Sequence, residues 1–280
     1  MRQGSRASIG ALLPRVTAAD HFAAAMLGPW LSGEDTPRLD PADFLAARDG
    51  EDWLLPDGYG TLVGRFGTGL PVRLGCAVQA VVATRNQVEL TTTSGRLRAR
   101  HVIVTVPLGV LAAERIRFDP PLPAAVLAAL DGLPMGTLMK VGLRLTGDPF
   151  GLGDTFYLAA EPASERSILY LVRPFGREHV MGFVGGSLAR ELARLPAAGL
   201  REAVTAPLAG LLAAAGLARI GACFASDWQH DPWALGSYAV ARPGLAGTRA
   251  ALRCPLSERG SMPGRPRLPM AGTAPSPAPI

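Results

Sequence analysis

One lysine stands in a chain of 280 residues: Lys and Arg together number 28, so the other 27 cations are arginine. Cysteine is almost as scarce. Cys76, Cys223 and Cys254 are an odd set with no C-x-x-C pair, which argues against a disulfide scaffold and against structural zinc. The four histidines lie far apart and form no ligand spacing. Long apolar runs are missing too. The most membrane-like stretch, residues 203–218, is interrupted by Pro207 and is short for a bilayer span. No apolar h-region follows Arg2 and Arg6, so no secretory leader reads at Met1. The formal charge is +5, but the arginines are scattered without a basic stripe, and no nucleic-acid partner is expected. These absences lead to the expectation of a soluble, cytoplasmic protein without membrane contact.

What is present is 48% apolar residues, much of it alanine, with 33 glycines and 25 prolines. This length fits one large or two medium domains with ample core. The organising stretch runs from Val102 to Leu145. Val102 to Val106 is a β-branched run that reads as a buried strand, ended by Pro107. A short turn of helix follows at Leu108 to Ala113, then a proline-rich corner and an amphipathic helix over 124–133. Gly136 breaks that helix. The single lysine, Lys140, then begins a strand in which Val141, Leu143 and Leu145 alternate with Gly142 and Arg144.

Elsewhere the pattern is mixed. Helices are expected near 18–27 and 42–47, the second with Asp40 as N-cap and Pro41 at its first position. Four short strands are expected between Leu70 and Ala99, with a Ser94-Gly95 hairpin turn. Strands at 155–158, 167–172 and 179–184 precede helices at 187–194 and 200–215, the latter open to a kink at Pro207.

Three blocks in order, V-I-V-T-V-P-L-G-V-L from Val102, I-x-F-x-P-P-L-P from Ile116 and M-G-T-L-x-K-V from Met135, resemble the flavin-containing amine oxidases. A fourth block, S-D-W-Q-H-D-P-W-A-L-G-S-Y from Ser226, is similar to that family's W-x-x-D-P-W-x-x-G-S-Y-S segment. The resemblance covers about Trp30 to Leu256. It implies a mixed α/β (α+β) fold, with an incomplete FAD-binding domain joined to an amine-oxidase-type substrate domain. The implied division is residues 1–111 for the partial FAD-binding domain and helical lead-in, and 112–224 for the substrate domain. Residues 225–256 would return to the FAD/substrate interface, and 257–280 would be an irregular tail.

The resemblance also implies roles. Lys140 would hold a water at flavin N5, a task suited to a buried amine with a lowered pKa and three donors. Tyr238 would be one wall of an aromatic cage for the amine, and Trp228 would pack near the flavin and Lys140. Val78 would read the adenine of FAD through its main chain, and Pro107 belongs to the same cofactor-binding set. Taken by themselves, Lys140 reads as a surface strand lysine, Tyr238 as a half-buried strand tyrosine and Val78 as an ordinary strand valine. His230 and Trp233 read as structural. The implied partner is a small-molecule amine, whose identity no acidic cluster indicates.

Both ends depart from the family pattern. No G-x-G-x-x-G turn is present; the nearest imitation, Gly58-Tyr59-Gly60 with Gly64, has the wrong spacing and no preceding strand. Residues 258–280 are proline-rich where the family continues with an apolar strand and A-G-E-[AT]-[ST]. Back-translated and read one frame over, this tail permits that motif, so a frame slip is expected there. Two readings stay open beside an FAD-dependent amine oxidase: an inactive fragment without FAD, and a substrate-domain interaction module.

Overall fold

The computed structural model describes residues 7–47, 53–84, 87–151, 153–159, 164–212 and 214–253. Cys254, the expected irregular tail and its frame slip lie outside the described residues.

The chain opens with α1 (Ile9–Leu12) and α2 (Ala18–Ala25). Thr17 caps α2 and Asp20 reaches back to the Thr17 amide, a reciprocal box that satisfies two otherwise orphan donors. The helix expected over 18–27 does not end at Gly28-Pro29-Trp30. It continues as a wide π-type turn, Met26–Trp30, with Pro29 inside it and Trp30 fully buried. α3 (Pro41–Leu45) follows, and Asp40 caps it by accepting from the amides of Ala42 and Asp43, as the sequence predicts. α4 (Tyr59–Phe66) then precedes the first sheet.

That sheet has four strands in the order β3-β2-β1-β4, built from β1 (Val78–Ala83), β2 (Val88–Thr92), β3 (Gly95–Ala99) and β4 (Arg117–Asp119). The first three form an antiparallel meander, and β4 pairs parallel with β1. The expected strand at 72–74 does not form. Val102 to Val106 is the larger correction. It is extended but holds only one bridge position, at Val104, and Ile103 is 66% exposed. A run of β-branched residues becomes a strand only where a neighbour supplies a ladder, and no described strand lies alongside to do so. α5 (Leu108–Ala112) and α6 (Ala124–Gly132) close this body. Val126, Ala129, Leu130 and Leu133 pack with Val81, Val88, Leu108 and Leu252.

The second sheet has five strands in the order β6-β7-β8-β5-β9. They are β5 (Leu138–Leu145), β6 (Phe156–Ala159), β7 (Leu169–Val172), β8 (His179–Gly185) and β9 (Ile220–Ala225). Every pairing is antiparallel, with β5 central between β8 and β9. β9 was not expected; its Gly221, Ala222 and Cys223 carry little strand signal. On one face Val141, Leu143, Leu145, Tyr170, Val172, Val180 and Val184 are fully buried. They pack against Ala189 and Leu192 of α7 (Gly186–Leu192) and Val204 of α8 (Ala197–Thr205). Each such side chain contributes about 1.5–3 kcal/mol of apolar burial. The Tyr170 hydroxyl donates to the Val204 carbonyl at 2.8 Å, so its polar end is satisfied inside the core. The expected long helix over 200–215 is broken rather than kinked. α8 ends at Thr205, Pro207 lies in a 3-10 stretch (Ala206–Gly210), and α9 (Ala214–Leu217) is short.

Among the described residues, no helix is long and apolar enough to cross a membrane, and no group of His, Cys, Asp or Glu could hold a metal ion.

Candidate functional site

Strand alternation divides the second sheet into two faces, and Lys140 is on the face away from the α7 and α8 core. Register fixes its neighbours: Lys140 lies opposite Phe183 on β8, and Phe183 lies opposite Leu169 on β7. The Lys140 Nζ sits 5.3 Å from the centre of the Phe183 ring. It makes no ion pair or hydrogen bond among the described residues. Half-buried without an anion, the ammonium is disfavoured, and burial lowers its pKa from the ordinary 10.5. Two residues along, on the same face, Gly142 leaves room for the ring of Phe224; a Cβ at Gly142 would come within 2.1 Å of it. This gives the floor around the lysine two aromatic rings.

The other edge of β5 carries the Ser226–Tyr238 segment. The Lys140 amide donates to the Ser226 hydroxyl at 3.0 Å, and the Ser226 amide donates back to the Lys140 carbonyl at 2.9 Å. Ser237 accepts from the Leu138 amide at 2.8 Å and donates to the Leu138 carbonyl at 3.0 Å. The Gly136 amide donates to the Tyr238 carbonyl at 2.6 Å, and the Gly236 amide to the Trp228 carbonyl at 2.9 Å. The segment is therefore stitched along residues 136–140, which brings Trp228 and Tyr238 to the strand that carries Lys140. Tyr238 is mostly buried, and desolvation pushes its phenol up to about 12, so it stays neutral at ordinary pH. Trp228 remains 49% exposed. His230 pairs locally with Asp227 at 2.8 Å, and Trp233 is exposed.

Two clamps hold these pieces. Asp43 and Arg249 form an ion pair with both side chains only 10% exposed. Asp43 also accepts from the Ala241 amide, and Arg249 donates to the Ala239 carbonyl, so the pair locks the chain just after Tyr238. At the far end, Glu34 takes a forked pair of hydrogen bonds from Arg190 at 2.8 and 3.2 Å. Asp35 accepts from the Ser187 amide, and the Thr137 amide donates to the Gly33 carbonyl at 2.7 Å. Together they press residues 27–36 onto the β5–β8 end of the sheet.

Val78 is placed apart from this cluster, on the first sheet, whereas Pro107 heads α5. Val78 begins β1 and is half-buried opposite Thr92. Pro107 caps α5, and two residues on Gly109 lies so close to the next layer that a Cβ would meet the Leu235 carbonyl at 2.6 Å. Pro107 is thus within one helical turn of the Trp228–Tyr238 segment, whereas nothing brings Val78 there. The Gly58–Gly64 cluster spans the start of α4 without a preceding strand, and a Cβ at Gly58, Gly60 or Gly64 would meet nothing within 4 Å.

The sequence reading missed Phe183, Phe224, Ser226 and Ser237. Only strand register reveals the first two; the serines lay within the quoted fourth block but carried no chemical signal of their own. It also missed an apolar cavity of about 240 Å³ on the Lys140 face, lined by Phe22, Met26, Trp30, Leu31, Tyr157, Leu169 and Phe183.

With this geometry in view, residues 4–277 match the profile of a family described as flavin containing amine oxidoreductase. The human lysine-specific histone demethylase 2 is 26% identical over 217 residues, covering 74% of this chain and 26% of its own length. Polyamine oxidase 1 of Oryza sativa subsp. japonica is 29% identical over 290 residues, covering 87% of this chain and 56% of its own. A putrescine oxidase solved with putrescine superposes with a TM-score of 0.73 at 20% identity, covering 96% of this chain and 66% of that one. The chain therefore spans between a quarter and just over half of these two curated relatives' length.

Proposed function

The chain belongs to the flavin-containing amine oxidoreductase family, and from that premise we propose that it supplies the substrate-side half of an FAD-dependent amine oxidase site. In this reading residues 112–224 are the substrate domain, 1–111 are part of the FAD-binding domain, and 225–256 return to the interface between them. The observation that carries it is the half-buried Lys140, an ammonium without an anion among the described residues, on the strand to which Ser226 and Ser237 of the Ser226–Tyr238 segment are stitched.

The residues present fit a flavin on one side. Lys140 offers donors from a desolvated position, Trp228 offers a half-exposed indole face, and Tyr238 offers a neutral phenol. Pro107 stands close by at the head of α5, and the Val78 main chain would lie on the adenine side. No residue pattern in the sequence matches a pyrophosphate-binding turn, so that contact is not assigned to this chain. When bound, the flavin would supply the hydride acceptor for oxidising a C–H beside the amine nitrogen, and O2 would reoxidise it. The protein's part is narrower. Lys140 positions a water through its N–H donors, and the aromatic side chains orient the amine and exclude bulk solvent.

The test has two parts. The 280-residue chain, purified and desalted, is expected to carry no near-stoichiometric flavin absorbance; a yellow protein would count against the half-site assignment. In a form that binds flavin, Lys140→Met should slow the flavin half-reactions far more than it raises KM, because the lysine holds water and not substrate. Unchanged rates of both flavin reduction and reoxidation would remove Lys140 from the mechanism.

A further inference from the structure

We propose that the cavity beside Lys140 takes the apolar body of a single-ring or short-chain monoamine and rejects di- and polyamines, with Phe183 joining the cavity to the lysine. The inference rests on the amine-oxidation reading and names the substrate class of that site.

The cavity lies on the same sheet face as Lys140. Phe183 is the ring under the lysine and also a cavity wall, with Leu169 next to it in register. Trp30 closes the floor, held by its indole N–H donating to the Ser167 carbonyl at 2.9 Å, and Phe22 meets it edge-on at 5.4 Å. Phe22 and Tyr157, 41% and 40% exposed, form the mouth. At about 240 Å³ the space falls below the ~300–1,000 Å³ of pockets for drug-sized ligands, which suits one ring or a short alkyl chain.

Charge makes the choice between amine classes. Among the described residues, no wall of this cavity carries a carboxylate. The described carboxylates on the neighbouring lead-in and loop are already engaged: Glu34 by Arg190, Asp35 by the Ser187 amide, and Glu165 by Thr36 and Arg15. A diamine with its reacting nitrogen near Lys140 would bury its second ammonium among apolar walls, without an acceptor among the described residues. An unpaired buried cation costs several kcal/mol. A monoamine brings no second cation into the cavity, and its ring or chain gains burial against Phe183, Leu169 and Trp30.

Binding to the 280-residue chain tests this without flavin, using benzylamine and putrescine as probes followed by saturation-transfer NMR and calorimetry. Benzylamine is expected to bind at least about tenfold more tightly than putrescine, a ratio equivalent to about 1.4 kcal/mol. Tyr157→Glu, at the exposed mouth, should shrink or reverse that ratio, and Leu169→Asp serves as a second carboxylate within the cavity. Putrescine binding as tightly as benzylamine would overturn the proposal, as would absence of saturable benzylamine binding, or a ratio unmoved by both variants. Because the readout is affinity, it separates from oxidation. Toluene binding in the same cavity, alongside an oxidatively inert flavin-loaded form, would sink the amine-oxidation reading while the cavity's preference stood.

Discussion

The two sheets handle their apolar residues in opposite ways. In the five-stranded sheet, strand register turns Val141, Leu143, Leu145, Tyr170 and Val180 toward α7 and α8, and each is fully buried. Around the four-stranded sheet, comparable residues point outward. α4 carries Tyr59, Leu62, Val63 and Phe66 at the i, i+3, i+4, i+7 spacing of a packing face, yet buries none of its residues. Leu70, Val72, Leu74 and Ile103 are exposed nearby. An amphipathic pattern states that a face is to be covered; it does not state by what. The second sheet finds its cover within the chain, whereas α4 finds none among the described residues.

The comparison can be broken at the clamp after Tyr238. Arg249→Met leaves Asp43 buried without its counter-ion and should cost about 3–5 kcal/mol in a urea titration. A loss below ~1 kcal/mol would mean that the junction between the bodies does not depend on this pair.

The next effect appears only in alkali. Burial raises the Tyr238 phenol from 10 to about 12, so the native state keeps a proton that the unfolded chain gives up. That stability is full below pH 10 and is lost as pH climbs toward 12. Tyr238→Phe should remove part of this alkaline loss, on the order of 2 kcal/mol, and Tyr170, raised by the same cause, supplies the rest. Identical alkaline melts of the two proteins would show that Tyr238 is solvated in solution.

Lys140 works in the opposite sense. Its lowered pKa means that the unfolded chain binds the proton more tightly, so stability rises with pH from the depressed value up to 10.5. Lys140→Met should raise the thermal midpoint at neutral pH by about 2–4 °C, equivalent to ~1 kcal/mol at this size. It should also flatten that rise. A lowered midpoint would indicate that the lysine has a stabilising anion.

The smallest expected change in stability sharpens the comparison most. Phe66→Lys with Leu74→Lys, both on the uncovered face, should shift stability by less than about 0.5 kcal/mol each. The pair should nevertheless reduce hydrophobic-dye binding and self-association. A large stability loss would show that these residues are packed in solution.

Much of this was legible in residue order. The Asp40-Pro41 cap, the helix beyond Pro123, the alternation after Lys140 and the meander around Ser94-Gly95 all follow from rules that act over a few residues. The site was legible only as quoted blocks. Lys140, Trp228 and Tyr238 could be named, but their shared strand comes from pairings between residues 86 to 102 positions apart. The Val102 to Val106 run failed as a strand for the same reason: β structure is completed by a partner, and a single segment does not encode which partner is present. Residue order by itself determined the family, the Asp40-Pro41 cap and which positions favour burial, because periodicity and capping are local. Tertiary structure alone decided that Phe183 lies under Lys140, that an apolar cavity opens beside it and that α4 stays uncovered, because each depends on what the rest of the chain brings alongside.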